Sequence, residues 1–262
     1  MVVASNGQLL QVERTGKVGL EGPTDVFNIA TYNVHRWTGI AGGRRWCPEL
    51  ALAVIAELDA DVIALQEVLR PNLADDPLQY IAEELDLYFA FVPTRRHRLG
   101  VLGNAILSRW PMKGVFPIDL SFSRLEQRSA IVSKFQGERH TLTVVATHLA
   151  LVDRTRKFQV QSLLNHPWLQ HPAVLLGDMN AWRRCRATRE LDRTLSSLHS
   201  NRSWPASYPS AAPVLALDRI YTRGAQVYDI QVHNSPAARR GSDHLPVVAR
   251  IVLDSRKEDF QV

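Results

Sequence analysis

Cysteine is nearly absent from this chain, and lysine is scarce. Cys47 and Cys185 are the only two cysteines in 262 residues, which gives neither a metal-ligand spacing nor a disulfide framework, so a reducing compartment is expected. No apolar run approaches the roughly 20 residues that cross a bilayer. The stretch from Met1 to Gly22 is polar and lacks the basic start and apolar centre of a secretory signal. These absences set the expectation of a soluble, cytoplasmic protein. Internal repeats, low-complexity tracts and linker-like segments are missing too, which argues for one domain over residues 25–253. Residues 1–24 then form a loose lead-in or a peripheral hairpin, and 254–262 a short tail.

Hydrophobic residues make up 45% of the chain, enough to fill one large core. The formal charge of +5 is carried mainly by arginine: of 31 basic side chains, five are lysine. Many arginines are paired, as in Arg44-Arg45, Arg95-Arg96, Arg183-Arg184 and Arg239-Arg240. The planar guanidinium fork suits phosphate, because it bonds two oxygens at once. A general preference for arginine over lysine gives the same composition, and both readings stay open.

The strand pattern carries the chemistry. Val26–Val34 is rich in β-branched and aromatic residues and reads as a core strand ending near Asn33. Pro48 opens an amphipathic helix to about Asp59, and the strand Asp61–Val68 ends in Gln66 and Glu67. A helix over Asp76–Leu87 and a short strand over Tyr88–Val92 are followed by a basic loop over residues 93–103, then a strand over Asn104–Ser108. Ser129–Phe135 and His140–Leu149 form a hairpin whose second strand ends at His148. Asp153 is placed to cap a helix reaching about Asn165. In the stretch Ala173–Ala181 an apolar run stops at Gly177, which leaves room for a ligand or another backbone, and the pattern reads as a buried strand ending in a polar site. Beyond Gly177, Asp178 and Asn180, two apart, face one side of an extended segment. An arginine-rich helix is expected after Trp182, a strand over Leu215–Tyr221 carries Asp218, and Asp243-His244 precede the closing strand. Early alternation of strands and helices followed by hairpins predicts two face-to-face sheets with helices outside.

Gly-Asp-Met-Asn alone also suits an ordinary strand-to-loop turn. Glu67 alone could cap a helix, His148 could be a satisfied structural histidine, and Asn33 could bond a neighbouring loop. Asp218, in an apolar strand, needs a partner. Chance accounts for any one of these polar strand ends much more easily than for all of them. An oxygen-rich set of carboxylates and amides suits a hard cation such as Mg²⁺ or Mn²⁺, and two histidines beside it can donate to phosphate oxygens. Metal-assisted attack of water on a phosphoester is the chemistry implied.

Seven segments, Thr31-Tyr-Asn-Val34, Leu65-Gln-Glu-Val68, Gly103-Asn-Ala-Ile-Leu-Ser-Arg109, Ala146-Thr-His-Leu149, Leu176-Gly-Asp-Met-Asn180, Leu217-Asp-Arg-Ile-Tyr221 and Ser242-Asp-His-Leu-Pro246, resemble in their order the motifs of the endonuclease/exonuclease/phosphatase superfamily. That superfamily of metal-dependent phosphohydrolases includes DNase I, AP endonucleases, neutral sphingomyelinases and inositol-polyphosphate 5-phosphatases. The resemblance covers roughly residues 26–252. It implies an α+β fold, a four-layer αββα sandwich of two mixed, mostly antiparallel sheets. It also implies that Glu67 is the principal Mg²⁺ ligand, with Asn33 and Asp243 completing the metal side. By the same resemblance, Asp178 orients or deprotonates the attacking water and Asn180 holds that water or a phosphate oxygen. His244 bonds the scissile phosphate with Asp218 as its buried partner, and His148 contacts the phosphate from the other side. Asn104 and Arg128 match phosphate-facing positions more loosely.

Reaction class is better specified than substrate, which in such a superfamily depends on variable loops. The loop Arg202-Ser-Trp-Pro-Ala-Ser-Tyr-Pro209 offers two aromatics that could stack on a base, insert into lipid or cover the core edge, and Trp182 offers the same choices. The arginines at 95–98 and 183–189 suit a polyanionic backbone. A Mg²⁺-dependent phosphodiesterase acting on nucleic acid is the first expectation. The alternatives are a phospholipid or inositol-phosphate hydrolase and a noncatalytic phosphate-binding protein.

Overall fold

Successive residues of the strands serve two cores at once. In the computed structural model, which describes residues 2–3, 9–13, 22–42, 46–72, 75–123, 126–137, 141–169, 172–195 and 203–254, the chain runs β1 (Val2–Val3), β2 (Leu9–Glu13), β3 (Val26–Asn33), α1 (Pro48–Glu57), β4 (Val62–Pro71), α2 (Pro77–Glu84), β5 (Tyr88–His97), β6 (Gly100–Ser108), β7 (Gly114–Asp119), β8 (Ser129–Gln136), β9 (Thr141–His148), α3 (Asp153–Leu164), β10 (Ala173–Asp178), α4 (Arg186–Thr194), β11 (Asp218–Arg223), β12 (Ala225–Val232), α5 (Ala238–Gly241) and β13 (Val247–Leu253). One sheet has the order β1-β2-β5-β6-β4-β3-β13-β12 and the other β11-β10-β9-β8-β7. Among the described residues, β3 with β4 and β9 with β10 pair in parallel and the other strand pairs are antiparallel. The α+β, four-layer αββα expectation holds.

Val62 and Ala64 of β4, with Val174 and Leu176 of β10, fill the layer between the sheets. Their neighbours Ile63 and Leu65 face α1 and α2 in a second core, while Ala173 and Leu175 face α3 and α4 in a third. This two-residue alternation leaves both faces of both sheets apolar. No helix among the described residues is long and apolar enough to cross a membrane.

Several expected boundaries shift. Residues 93–103, expected as a basic loop, instead extend β5 and β6 around a turn at Arg98-Leu99. Among the described residues β2 pairs β5 at Phe89–Phe91, and beyond that point no described strand pairs the outer side of β5. There Pro93 and the charges are tolerated, and a bulge between Pro93 and Arg95 absorbs the irregularity. Asp153 is the first helical residue of α3 and not its cap, which falls at Val152. Its carboxylate pairs with Arg156 and Arg183. The strand expected from Leu215 begins at Asp218, because Leu215 bridges Tyr208 instead. Of the two readings for residues 1–24, the strands β1 and β2 form a hairpin on the edge of the larger sheet. The Arg44-Arg45 pair, Asn201-Arg202 and residues 255–262 lie outside the described residues.

Gly177 serves another backbone. A Cβ there would stand 1.9 Å from the Thr147 carbonyl oxygen, and its φ is +144°. The prediction is that Gly177→Ala lowers unfolding free energy by more than about 3 kcal/mol, since both clash and backbone strain apply. Urea unfolding measures this, and a loss within the range of ordinary surface substitutions would contradict the contact.

Candidate active site

Strand register assembles one end of the sandwich. In the smaller sheet Asp178 lies beside His148 on one side and Asp218 on the other. In the larger sheet Asn33 lies beside Gln66. Between Leu65 and Val68 the β4–β6 ladder is bulged, and Glu67 takes φ 52°. The bulge turns Glu67 away from the cores and into a cavity of about 430 Å³. Glu67, Asn104, Arg128, His148, Asp178, Asn180, Trp182, Asp243 and His244 all line it. Asn33 and Asp218 stand behind that lining and touch it through hydrogen bonds.

Asp178 is the hub. Its Oδ1 accepts from the Asn180 backbone N–H at 2.8 Å, and its Oδ2 accepts from Asn33 Nδ2 at 3.2 Å. The same oxygen lies 3.5 Å from His148 Nε2 and 3.8 Å from His244 Nε2. Asn33 is thus tied to Asp178, and its Oδ1 accepts from the His35 N–H at 3.1 Å. Asn180, at φ 49°, donates from Nδ2 to the Leu149 carbonyl at 2.8 Å. Asn104 donates to the Ser129 carbonyl at 2.7 Å, joining the two sheets beneath the cavity wall.

The two histidines carry opposite protonation. Burial pulls the pKa of His148 down to about 3, and Arg128, His244 and Arg95 act in the same direction against Asp178. Burial pulls on His244 as well, but Asp218, Asp178 and Asp243 outweigh it and raise the pKa to about 10. His244 Nδ1 therefore donates to Asp218 Oδ2 at 2.8 Å. That oxygen also accepts from Ser207 Oγ at 2.6 Å. Desolvation lowers the Arg128 pKa, while Asp178, Glu126 and Glu67 counter it.

Asp178, Asp218 and His244 bring potential metal-ligating atoms within 4.8 Å of one another. An imidazolium whose Nδ1–H is given to Asp218 has no lone pair for a cation, so these three form a charge-paired unit in which His244 is hydrogen-bonded to Asp218 and stands 3.8 Å from Asp178. Glu67 and Asp243 fit a hard cation better. They are oxygen donors, with side chains 30% and 28% exposed, and their contacts are long: Arg36 at 3.6 Å for Glu67, and Ser242 at 3.3 Å and His35 at 3.4 Å for Asp243.

Residue-by-residue reading missed Ser207, Arg156, His35 and Arg36, and left the two aromatics of the loop ending at Pro209 undivided. Tyr208 lines the cavity and packs against the His244 ring at 4.9 Å, whereas Trp204 covers the core edge against Tyr221 at 5.0 Å. The two aromatics of that loop therefore divide between site and core. Ser207 holds Asp218. The fully buried Arg156 pairs with Asp153 and donates to the carbonyls of Ala150 and Asn180 at 2.7 Å and Leu151 at 3.1 Å. This brackets the segments that follow His148 and Asp178. His35 and Arg36 reach Asp243 and Glu67. Trp182, exposed at the mouth, has the Arg183 guanidinium 4.9 Å from its ring.

The model of the Endonuclease/Exonuclease/phosphatase family matches residues 41–244. The chain is 28% identical over 253 residues to "Uncharacterized protein YbhP" of Escherichia coli (strain K12), covering 87% of this chain and 96% of the relative. An endonuclease/exonuclease/phosphatase structure from Beutenbergia cavernae superposes with TM-score 0.70 at 22% identity, covering 87% of this chain and 72% of that one. The D. rerio TDP2 structure complexed with single strand DNA product gives TM-score 0.66 at 14% identity, with 86% and 98% covered.

The opposed histidines predict a stability optimum near neutrality, measured in EDTA. As pH falls from about 6.5 toward 3, the unfolded chain binds a proton that folded His148 refuses, so stability drops. The stabilisation from charged His244 is complete below about pH 6.5 and is lost as pH rises through about 10. Urea midpoints across this range should peak between the two limbs, and Asp218→Asn should shrink the alkaline one. An alkaline limb unchanged in that variant would show that Asp218 does not hold the charge.

Proposed function

The chain belongs to the endonuclease/exonuclease/phosphatase family of phosphoric ester hydrolases, and on that premise we propose that it is a divalent-cation-dependent phosphodiesterase acting on nucleic acid, with residues 25–253 as its catalytic domain. The observation that carries this reading is Asp178 set between a neutral and a charged histidine in a cavity that also presents Arg95 and Arg128. In this reading Asp178 orients a water and takes its proton as the water oxygen bonds phosphorus and the ester bond breaks. Asn180 holds that water or a phosphate oxygen. His244 donates from Nε2 to a non-bridging oxygen as its charge grows, and Asp218 keeps the ring oriented and charged. His148, Asn104 and Arg128 meet the phosphate from the facing walls. Glu67 and Asp243, with Asn33 beside them, would hold Mg²⁺ or Mn²⁺, which supplies Lewis-acid charge to the phosphoryl oxygens.

Nucleic acid is favoured by the mouth. Arg95, Arg96 and Arg98 lie along one hairpin, and the exposed Trp182 with Arg183 faces the cavity from elsewhere. That pairing suits a polyanionic backbone with a stacking base. The TDP2 structure named above holds a single strand DNA product, which supports the same substrate class. A second reading has one observation in its favour: Leu151, Val152 and Trp182 are exposed, and Leu151 and Trp182 both line the cavity. A phospholipid would use such a surface.

The deciding experiment incubates supercoiled plasmid and single-stranded oligonucleotide with the purified chain and Mg²⁺ or Mn²⁺, beside EDTA and Asp178→Ala controls. Metal-dependent cutting that disappears in the variant is expected. Hydrolysis of anionic phospholipid vesicles with no cutting would replace the nucleic-acid reading, and no hydrolysis of either by folded protein would sink both. Asp218→Asn should lower kcat by about a hundredfold or more with KM little changed, because the lost charge acts on the transition state.

A further inference from the structure

The turn His35-Arg36-Trp37 has no assigned role, and its backbone is unusual. Three consecutive residues that are not glycine take φ values of 44°, 58° and 64°. Side chains rarely adopt this conformation, and it persists only where the surroundings impose it. The surroundings here do so. Trp37 is fully buried and donates its indole N–H to the Leu69 carbonyl at 2.8 Å. Its carbonyl accepts from Cys47 at 2.7 Å, and Val34 donates to Gln66 at 3.0 Å. The turn is pinned at both ends, and its middle residue reaches Glu67, which lines the cavity.

That middle residue reaches both carboxylates that fit a cation. Arg36 Nε is 3.6 Å from Glu67 Oε2. Arg36 Nη2 lies 2.6 Å from His35 Nε2, and His35 Nδ1 lies 3.4 Å from Asp243 Oδ1. Arginine can only donate, so His35 accepts at Nε2 and carries its proton on Nδ1, facing Asp243 and the Gly39 carbonyl at 3.1 Å. One guanidinium therefore touches Glu67 directly and Asp243 through an imidazole. Its Nε is buried and makes no hydrogen bond, so the attraction to Glu67 is Coulombic and is not locked by a donor–acceptor contact.

We propose that Arg36 is a tethered counter-ion that competes with the divalent cation for Glu67 and Asp243 and so weakens cation binding to the free protein. A single positive charge held on the turn balances the two acidic groups until a cation of higher charge displaces it. The cost of that displacement is built into the cation affinity. This rests on the reading above that Glu67 and Asp243 are the cation's ligands.

The test is Mn²⁺ binding to the full chain without substrate, followed by titration calorimetry and by the paramagnetic resonance signal of free Mn²⁺. Arg36→Gln should bind Mn²⁺ about three- to tenfold more tightly than the parent, the range expected for removing one partly exposed charge beside the ion. Arg36→Lys, which keeps the charge, should stay close to the parent. Arg36→Asn, a residue that tolerates the left-handed conformation, repeats the measurement if the Gln variant does not fold. Unchanged or weaker binding in the neutral variants would overturn the proposal, as would a Lys variant that tightens binding as much as Gln. Glu67→Gln separates the two levels. If it leaves Mn²⁺ binding intact, the ligand reading fails; if it weakens binding while Arg36→Gln does not tighten it, only the tethered counter-ion fails.

Discussion

Strand register is the constraint on which the site depends. Asp178, His148 and Asp218 share one row across three strands only because β10 pairs β9 in parallel and β11 antiparallel at those positions. A slip of one residue would send every side chain of β10 to the opposite face, exchanging Leu176 for Leu175 and pointing Asp178 into the outer core. The close passage of Thr147 over Gly177 fixes this register. The chemistry of the cavity is thus decided by apolar packing two and three residues below it.

Electrostatics is built by burial as much as by charge. His148 and His244 stand on either side of one carboxylate, yet burial keeps the first neutral while three nearby carboxylates keep the second charged. Ser207 adds a hydrogen bond to Asp218, the group that fixes the imidazolium. A cavity that holds one histidine of each kind presents an acceptor and a charged donor together, which phosphoester hydrolysis uses at different points of the same step.

The parts of this arrangement that were legible in the sequence are those at strand ends. There an apolar run stops abruptly at Asn33, His148 or Asp178, and the break in pattern is local; Glu67, expected at a strand end, lies inside β4, which runs on to Pro71. The bulge that turns Glu67 inward is not local, since it exists only in pairing with β6. The strand through Pro93 and Arg95 was hidden because charge and proline resemble a loop until the pairing of β5 is known. Asp153 carried a capping residue's identity but was drawn one position into the helix by Arg156 and Arg183. Arg156 and Ser207 carry no sequence signal of their own, because each acts through a partner more than ten residues away in the chain; Tyr208 was visible only as one of two aromatics in its loop. Arg36 lies three residues from Asn33, yet its direction is set by a left-handed turn that no residue in His35-Arg36-Trp37 announces.

Arg156 grips main chain at three of its contacts. The carbonyls of Ala150, Leu151 and Asn180 are present whatever side chains those positions bear. The bracket is therefore indifferent to the identity of Leu151 and of neighbouring Trp182, the residues at the cavity mouth. Substitutions there can retune what enters the cavity while the backbone beneath Asp178 and His148 stays where it is. The scaffold in this way separates the inheritance of its chemistry from the evolution of its specificity.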